Sequence, residues 1–135
     1  MTRFVLDTNA CIQIVRGRCE PLHSRLEQGH WKDLALCSIV WAELLVGAHL
    51  SPRGYEQERT RIEPFRQLPL LPFDQTAAEH YAEIRTHLQR VGQLIGERDL
   101  MIAAITRAHG LTLITHNIRE FERVPGLAFE DWELP

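Results

Sequence analysis

Apolar residues along the chain fall into two spacings. Short continuous runs occur at Arg3–Leu6, Leu34–Cys37 and Leu111–Thr115, each ending at a polar or small residue. Runs of this length bounded by cap or turn residues predict buried strands. Leu68–Phe73 is similar but broken by prolines, which suits a short extended segment at a sheet edge. Leu127–Trp132 adds a last candidate strand. Between these runs the spacing lengthens. In Thr76–Val91, residues Ala77, Tyr81, Ile84, Leu88 and Val91 line one face of a helix. Further helices are predicted through Cys11–Val15, stopping near Gly17, over Pro21–Gln28, over Tyr55–Gln67 and over Glu97–His109. Ser38 reads as the N-cap of a helix through Trp41, Leu44, Leu45 and Ala48, and Asn117 as the opening of a short helical turn. The order is β-α-α-β-α-α-β-α-α-β-α-β. Strands separated by helices predict an α/β fold, a three-layer α/β/α sandwich around a mostly parallel sheet. Ligands of such sheets bind beyond the carboxyl ends of the strands.

The 135 residues suit a single domain spanning 1–135. A chain of that length buries roughly 70% of its unfolded surface, enough for a core without disulfides. No apolar run approaches the ~18 residues of a membrane span, and the N-terminus lacks leader character. Cys11, Cys19 and Cys37 show no C-x-x-C spacing, so reduced thiols in a cytoplasmic protein are expected. The net charge of −3 argues against a broad basic surface for nucleic acid. Of the 15 basic residues, however, only Lys32 is lysine. Codon bias is the simpler source of that excess, though arginine's planar fork also suits phosphate. An acidic pocket rimmed by arginines stays compatible with RNA.

Three acids stand where a parallel sheet would place ligand-binding groups. Asp7 follows the first strand in LDTN; taken alone it reads more readily as a helix cap than as a ligand. Glu43, in SIVWAELLVG, has apolar neighbours on almost every side and Gly47 one turn on, which leaves space beside it. Asp99 lies in the first turn of its helix on the stripe shared with Ile102, Ala103 and Thr106, so it faces inward, while Arg98 can face outward. Asn117 and Glu120 have capping-box spacing, and Thr115 shares the side of an extended chain with Asn117. If the three acids meet, each pair ~4 Å apart repels by about 4 kcal/mol at an effective dielectric near 20. Three such pairs rival the roughly 5–15 kcal/mol stability of a whole domain. The cluster then needs a retained proton or a cation, and its all-oxygen character favours Mg²⁺ or Mn²⁺ over Zn²⁺.

Other constellations carry less. His80, Glu83 and His87 share a helix face that reads as solvated surface. His116 could touch substrate, but a single histidine at a strand end is more often structural. No phosphate-binding glycine loop and no G-x-S-x-G is present.

FVLDTN, SIVWAELLVGA, IGERDLMIAA, LTLITHNIREFERVPGL and the closing EDW, taken in order, resemble the PIN-domain ribonucleases, and among them the VapC toxins of toxin–antitoxin pairs. The resemblance covers nearly the whole chain. It implies Mg²⁺- or Mn²⁺-dependent RNA cleavage, with Asp7 and Asp99 as metal ligands and Glu43 as the central acid. It also implies a VapB-like antitoxin partner and a homodimer. The closing motifs are most similar to the subgroup that acts on initiator tRNA. Many members carry a fourth acid where this chain has Asn117, which speaks for one well-held ion. On this reading Asn117 and Thr115 position water or phosphate, and Arg16, Arg98 and Arg119 are the nearby phosphate contacts. Exposed apolar residues near Trp41 and Leu45 are suspects for the antitoxin surface.

Two rival readings use the same residues. An aspartyl-phosphate phosphatase would employ Asp7 as nucleophile, although the acid often found two residues on is Asn9 here. A non-catalytic RNA- or partner-binding module would leave the acids as caps and surface charge.

Overall fold

Every strand run ends where a polar side chain or an immediate helix takes over the backbone. A computed structural model describes residues 1–135 and contains β1 (Phe4–Leu6), α1 (Thr8–Arg16), α2 (Glu20–Glu27), β2 (Leu34–Cys37), α3 (Ser38–Leu50), α4 (Tyr55–Ile62), β3 (Leu70–Leu71), α5 (Gln75–Arg90), α6 (Glu97–Ala108), β4 (Thr112–Ile114), α7 (Ile118–Phe121) and β5 (Ala128–Glu130). The predicted order therefore holds, with 3-10 turns added at His30–Asp33 and Glu63–Gln67.

Three local expectations change. The helix expected over Tyr55–Gln67 stops at Ile62 and continues as a 3-10 turn. Pro64 explains this, because it lacks an N–H and its ring crowds the carbonyl four residues back. Ser38 is the first helical residue of α3 rather than its cap; Cys37 holds the cap position with no side-chain bond, since β2 runs into the helix without a loop. Val91, assigned to the buried stripe of α5, is 51% exposed because it lies just past the last turn. Ala77, Ile84 and Leu88 of that stripe are buried as expected.

The sheet has the order β3-β2-β1-β4-β5, and every pairing is parallel. Helices cover both faces in three layers. Between them lies a core that includes Val5, Leu6, Leu36, Ile102, Ile105 and Leu113, all essentially inaccessible. A sheet buried on both faces requires apolar residues at successive positions, which is why β1 and β2 read as continuous apolar runs. No helix is long and apolar enough to cross a membrane.

Trp132 closes the fold after β5. Its indole packs edge-on against Phe4 at 4.8 Å between centroids, and its N–H donates to Glu130 at 3.0 Å. It is the largest fully buried side chain. Trp132→Ala is expected to cost about 3–5 kcal/mol, read as a lower urea midpoint at unchanged slope. A loss under 1 kcal/mol would show that the closing segment is not anchored by this packing.

Candidate active site

Parallel pairing puts the carboxyl ends of all five strands on one edge. The chain leaves β1 toward β2 and β3, then crosses back to lay β4 on the other side of β1. That reversal opens a crevice beyond β1 and β4, the usual ligand position in such sheets. Asp7 is the first residue past β1, and Thr115 the first past β4.

Asp7 serves as a cap and as a site residue at once. Its N–H donates to the Ile114 carbonyl at 3.1 Å, continuing the ladder. Its Oδ1 accepts from the Ala10 N–H at 2.8 Å, which caps α1. The Thr115 hydroxyl lies beside the same carboxylate and favours its charged form. That hydroxyl in turn accepts the Asn117 N–H at 2.9 Å, so its proton is directed to Asp7. Asn117 thus reaches Asp7 through its backbone. Burial raises the Asp7 pKa, opposed by these hydrogen bonds and reinforced by the charges of Glu133 and Glu43. Beneath it, burial also lifts the Cys11 thiol well above its ordinary value. The three cysteines are free.

Glu43 comes from the second turn of α3 and is half-buried. Its Oε1 accepts the Thr8 hydroxyl at 2.8 Å, and its Oε2 lies 3.5 Å from an Arg98 guanidinium nitrogen. Gly47, one turn on, leaves open space: a Cβ there would meet nothing within 4 Å. Asp99 enters from the first turn of α6. Its pKa is pushed up to about 6, by burial first and then by the charges of Glu120, Asp7 and Glu43. The three predicted acids are therefore near enough to one another for their charges to couple.

Glu120 is a fourth acid that the sequence reading assigned elsewhere. The expected Asn117–Glu120 capping box does not form: Asn117 makes no side-chain cap bond, and the Glu120 carboxyl instead lies close enough to Asp99 to raise its pKa. One turn of α7 carries Glu120 to the crevice in place of the acid missing at position 117. The i, i+3 spacing was a usable signal, but it fits a cap equally well.

The arginines divide. Arg98 pairs with Glu43 although its side chain is 72% exposed. Arg16 lines an open groove of about 770 Å³ together with Thr8, Glu43, Gly47 and Arg61. Arg119 is exposed on α7, and none of its hydrogen bonds or ion pairs reaches the acids. Trp41 and Leu45 lie outside that groove; the Arg59 guanidinium covers the Trp41 ring at 4.9 Å. His80 is not simply solvated either. Its Nδ1 accepts from Arg107 Nε at 2.9 Å, and Glu83 pairs with the same arginine, tying α5 to α6. At the far side of the crevice, His116, Asp131 and Glu133 bring ligand atoms within 4.8 Å of one another.

Four carboxyls from β1, α3, α6 and α7 in one crevice repel one another. On acidification, a proton taken up at Asp99 relieves the repulsion. The exclusively oxygen donors at the pocket also fit a hard divalent cation, which would displace that proton. Linkage fixes the sign of the consequence. Asp99 binds its proton more tightly folded than unfolded, so between its ordinary value and about 6 the folded state carries more protons, and stability falls as pH rises. The raised His116 pKa acts in the same direction. With chelator present, Tm is expected to be higher at pH 5 than at pH 7.5, and Asp99→Asn to flatten much of that difference. A chelated protein whose Tm rises with pH over this range would contradict the clustering.

The PIN-domain family profile matches residues 4–127. The tRNA(fMet)-specific endonuclease VapC of Salmonella typhimurium is 38% identical over 133 residues, covering 98% of this chain and 99% of the relative. Among solved structures, DNA-bound VapBC from Salmonella typhimurium superposes with a TM-score of 0.90 at 38% identity, covering 98% of this chain and 99% of that one. VapBC2 from Rickettsia felis, bound to a promoter DNA fragment, gives 0.88 at 34% identity, with 97% and 99% covered. A matching profile over most of the chain, near-complete alignment and a shared backbone lead to one conclusion: the chain belongs to the PIN-domain family, among its VapC ribonucleases.

Proposed function

We propose that this protein is the toxin of a type II toxin–antitoxin pair and acts as a metal-dependent endoribonuclease, with initiator tRNA as its substrate. The observation that carries the reading is the meeting of Asp7, Glu43 and Asp99 in one crevice, in a chain aligned end to end with an endonuclease named for that tRNA. Asp7 and Asp99 hold the cation, with Glu43 as the central acid and Glu120 beside them. Mg²⁺ is the natural occupant of an all-oxygen site in a cell, and Mn²⁺ can substitute. Bound there, the ion supplies charge neutralisation and Lewis acidity toward a phosphate oxygen.

The chain's own groups do the rest. Thr115 and the Asn117 backbone fix the Asp7 carboxylate, so that it meets the ion in one orientation. Glu43 is held at Oε1 by Thr8, which leaves Oε2 to take a proton from the water that attacks phosphorus, while the opposite P–O bond breaks and the departing oxygen takes a proton from solvent. Arg98, paired with Glu43 in the free protein, turns to an RNA phosphate when substrate arrives. Arg16 and Arg119 provide further phosphate contacts, with Arg16 placed at the groove mouth. An Asp7 nucleophile, as a phosphatase would need, fits poorly: the carboxylate is 5% exposed and one oxygen is occupied by the cap.

A VapB-like antitoxin is the expected partner, since both structural relatives described above are toxin–antitoxin complexes. The groove, where Ile12, Val15, Leu44 and Ala48 alternate with Arg16, Arg61 and other polar residues, offers it a mixed apolar and charged channel leading to Glu43. A homodimer and a cytoplasmic location complete the reading.

Purified protein incubated with initiator tRNA is expected to cut it with Mg²⁺ and not with chelator. Asp7→Asn removes a cation ligand worth several kcal/mol of charge stabilisation and should lower the rate roughly 1,000-fold while leaving Tm near that of the parent. Thr115→Val, which removes only the orienting hydrogen bond, should weaken the cation roughly 10–100-fold. Undiminished cleavage by a folded Asp7→Asn protein, or cleavage in chelator, would refute the assignment.

A further inference from the structure

His116 is a histidine at the edge of the crevice that the reaction above does not use. It follows Thr115 directly, and Thr115 N–H donates to the Glu130 carbonyl at 3.0 Å, so β5 fixes where the His116 backbone leaves the sheet. Across that pairing comes Asp131, whose side chain is 8% exposed. Asp131 Oδ1 accepts the Glu133 N–H at 2.9 Å, and Oδ2 lies 2.9 Å from His116 Nδ1. A carboxylate can only accept here, so Nδ1 carries the proton and the ring is held in one orientation. Nε2 is the remaining nitrogen of a side chain that is 60% exposed. Packing does not explain the arrangement: an exposed imidazole held by a nearly buried carboxylate is anchored at one end and offered to solvent at the other.

We infer that His116, oriented by Asp131, is a substrate-binding residue whose Nε2–H grips a phosphate of the RNA beside the one that is cut. The inference rests on the ribonuclease reading for the nature of the substrate. Three observations point to a phosphate. The crevice is strongly acidic, so an RNA backbone crossing its rim needs cations there. Arg98 is engaged with Glu43 on one side of Asp7, while the β4–β5 side offers His116. The groups facing the imidazole are Asp131, Glu133 and Asp7, all acidic, and they favour its charged form. Asp131 thereby acts as a positioning residue. It sets the tautomer, fixes the ring and sustains the charge, in the manner of a carboxylate behind a functional histidine.

The test is equilibrium binding of an initiator tRNA transcript to protein carrying Asp7→Asn, which suppresses cleavage, across a salt series at pH 6.5. Adding His116→Gln is expected to weaken binding at least about 5-fold, and to reduce the slope of log K against log salt by about 0.7–0.9, the signature of one lost phosphate contact. His116→Arg should restore the slope, and Asp131→Asn should weaken binding with His116 present. Equal affinity and equal salt slope for the His116→Gln protein would overturn the proposal, as would a slope not recovered by arginine. Parallel cleavage assays of the unsubstituted protein separate this outcome from failure of the ribonuclease reading: cutting with no His116 effect rejects the contact alone, and absence of cutting rejects the activity.

Discussion

Mutual repulsion among clustered carboxylates, one buried and the others half-buried, is the constraint around which this molecule is arranged. Asp7, Glu43, Asp99 and Glu120 come from four elements and are forced together by a sheet that buries both faces and exposes one edge. Each would be better solvated elsewhere. Their convergence is sustained by hydrophobic burial over the whole core, which supplies far more free energy than the cluster consumes. On the proposed reading, what the repulsion gives in return is an affinity for a cation. The raised pKa of Asp99 expresses the constraint directly: burial first, then the charges of Glu120, Asp7 and Glu43, disfavour its ionised form.

Around the acids, hydrogen bonds fix orientation at little cost. Asp7 is held by a helix cap on one side and by Thr115 on the other, and Thr115 is held by the Asn117 backbone. Glu43 is held by Thr8, the residue next to Asp7, so that one loop orients two carboxylates. On the opposite rim, Asp131 does for His116 what Thr115 does for Asp7. A VapC-type ribonuclease built this way has its acids at a strand end and in the first two turns of helices, which are rigid positions. The open groove beside Glu43 leaves an approach from α1 and α3.

Much of this could be read from the chain. Leu34–Cys37 matched its strand because a run buried on both faces leaves no ambiguity of period. Asp99 was legible because its helical stripe is apolar and an inward acid has no structural reason to be there. Glu120 was not, since Asn117 and Glu120 satisfy a cap template that local sequence cannot tell from a site. Asp131 and Glu133 were hidden for a related reason. Their significance depends on β5 pairing with β4, a contact between segments that carry no shared pattern. Arg98 looked outward and does lie in solvent, yet its length lets it return to Glu43, which helix phase does not reveal.

The central claim is that the acids form one cation site in competition with a proton. Calorimetric titration with Mg²⁺ at pH 6, repeated in buffers of different ionisation enthalpy, measures both at once. The account predicts saturable binding accompanied by release of a substantial fraction of a proton per ion, and loss of that release in Asp99→Asn. Binding with no proton release, or no saturable binding at all, would contradict it.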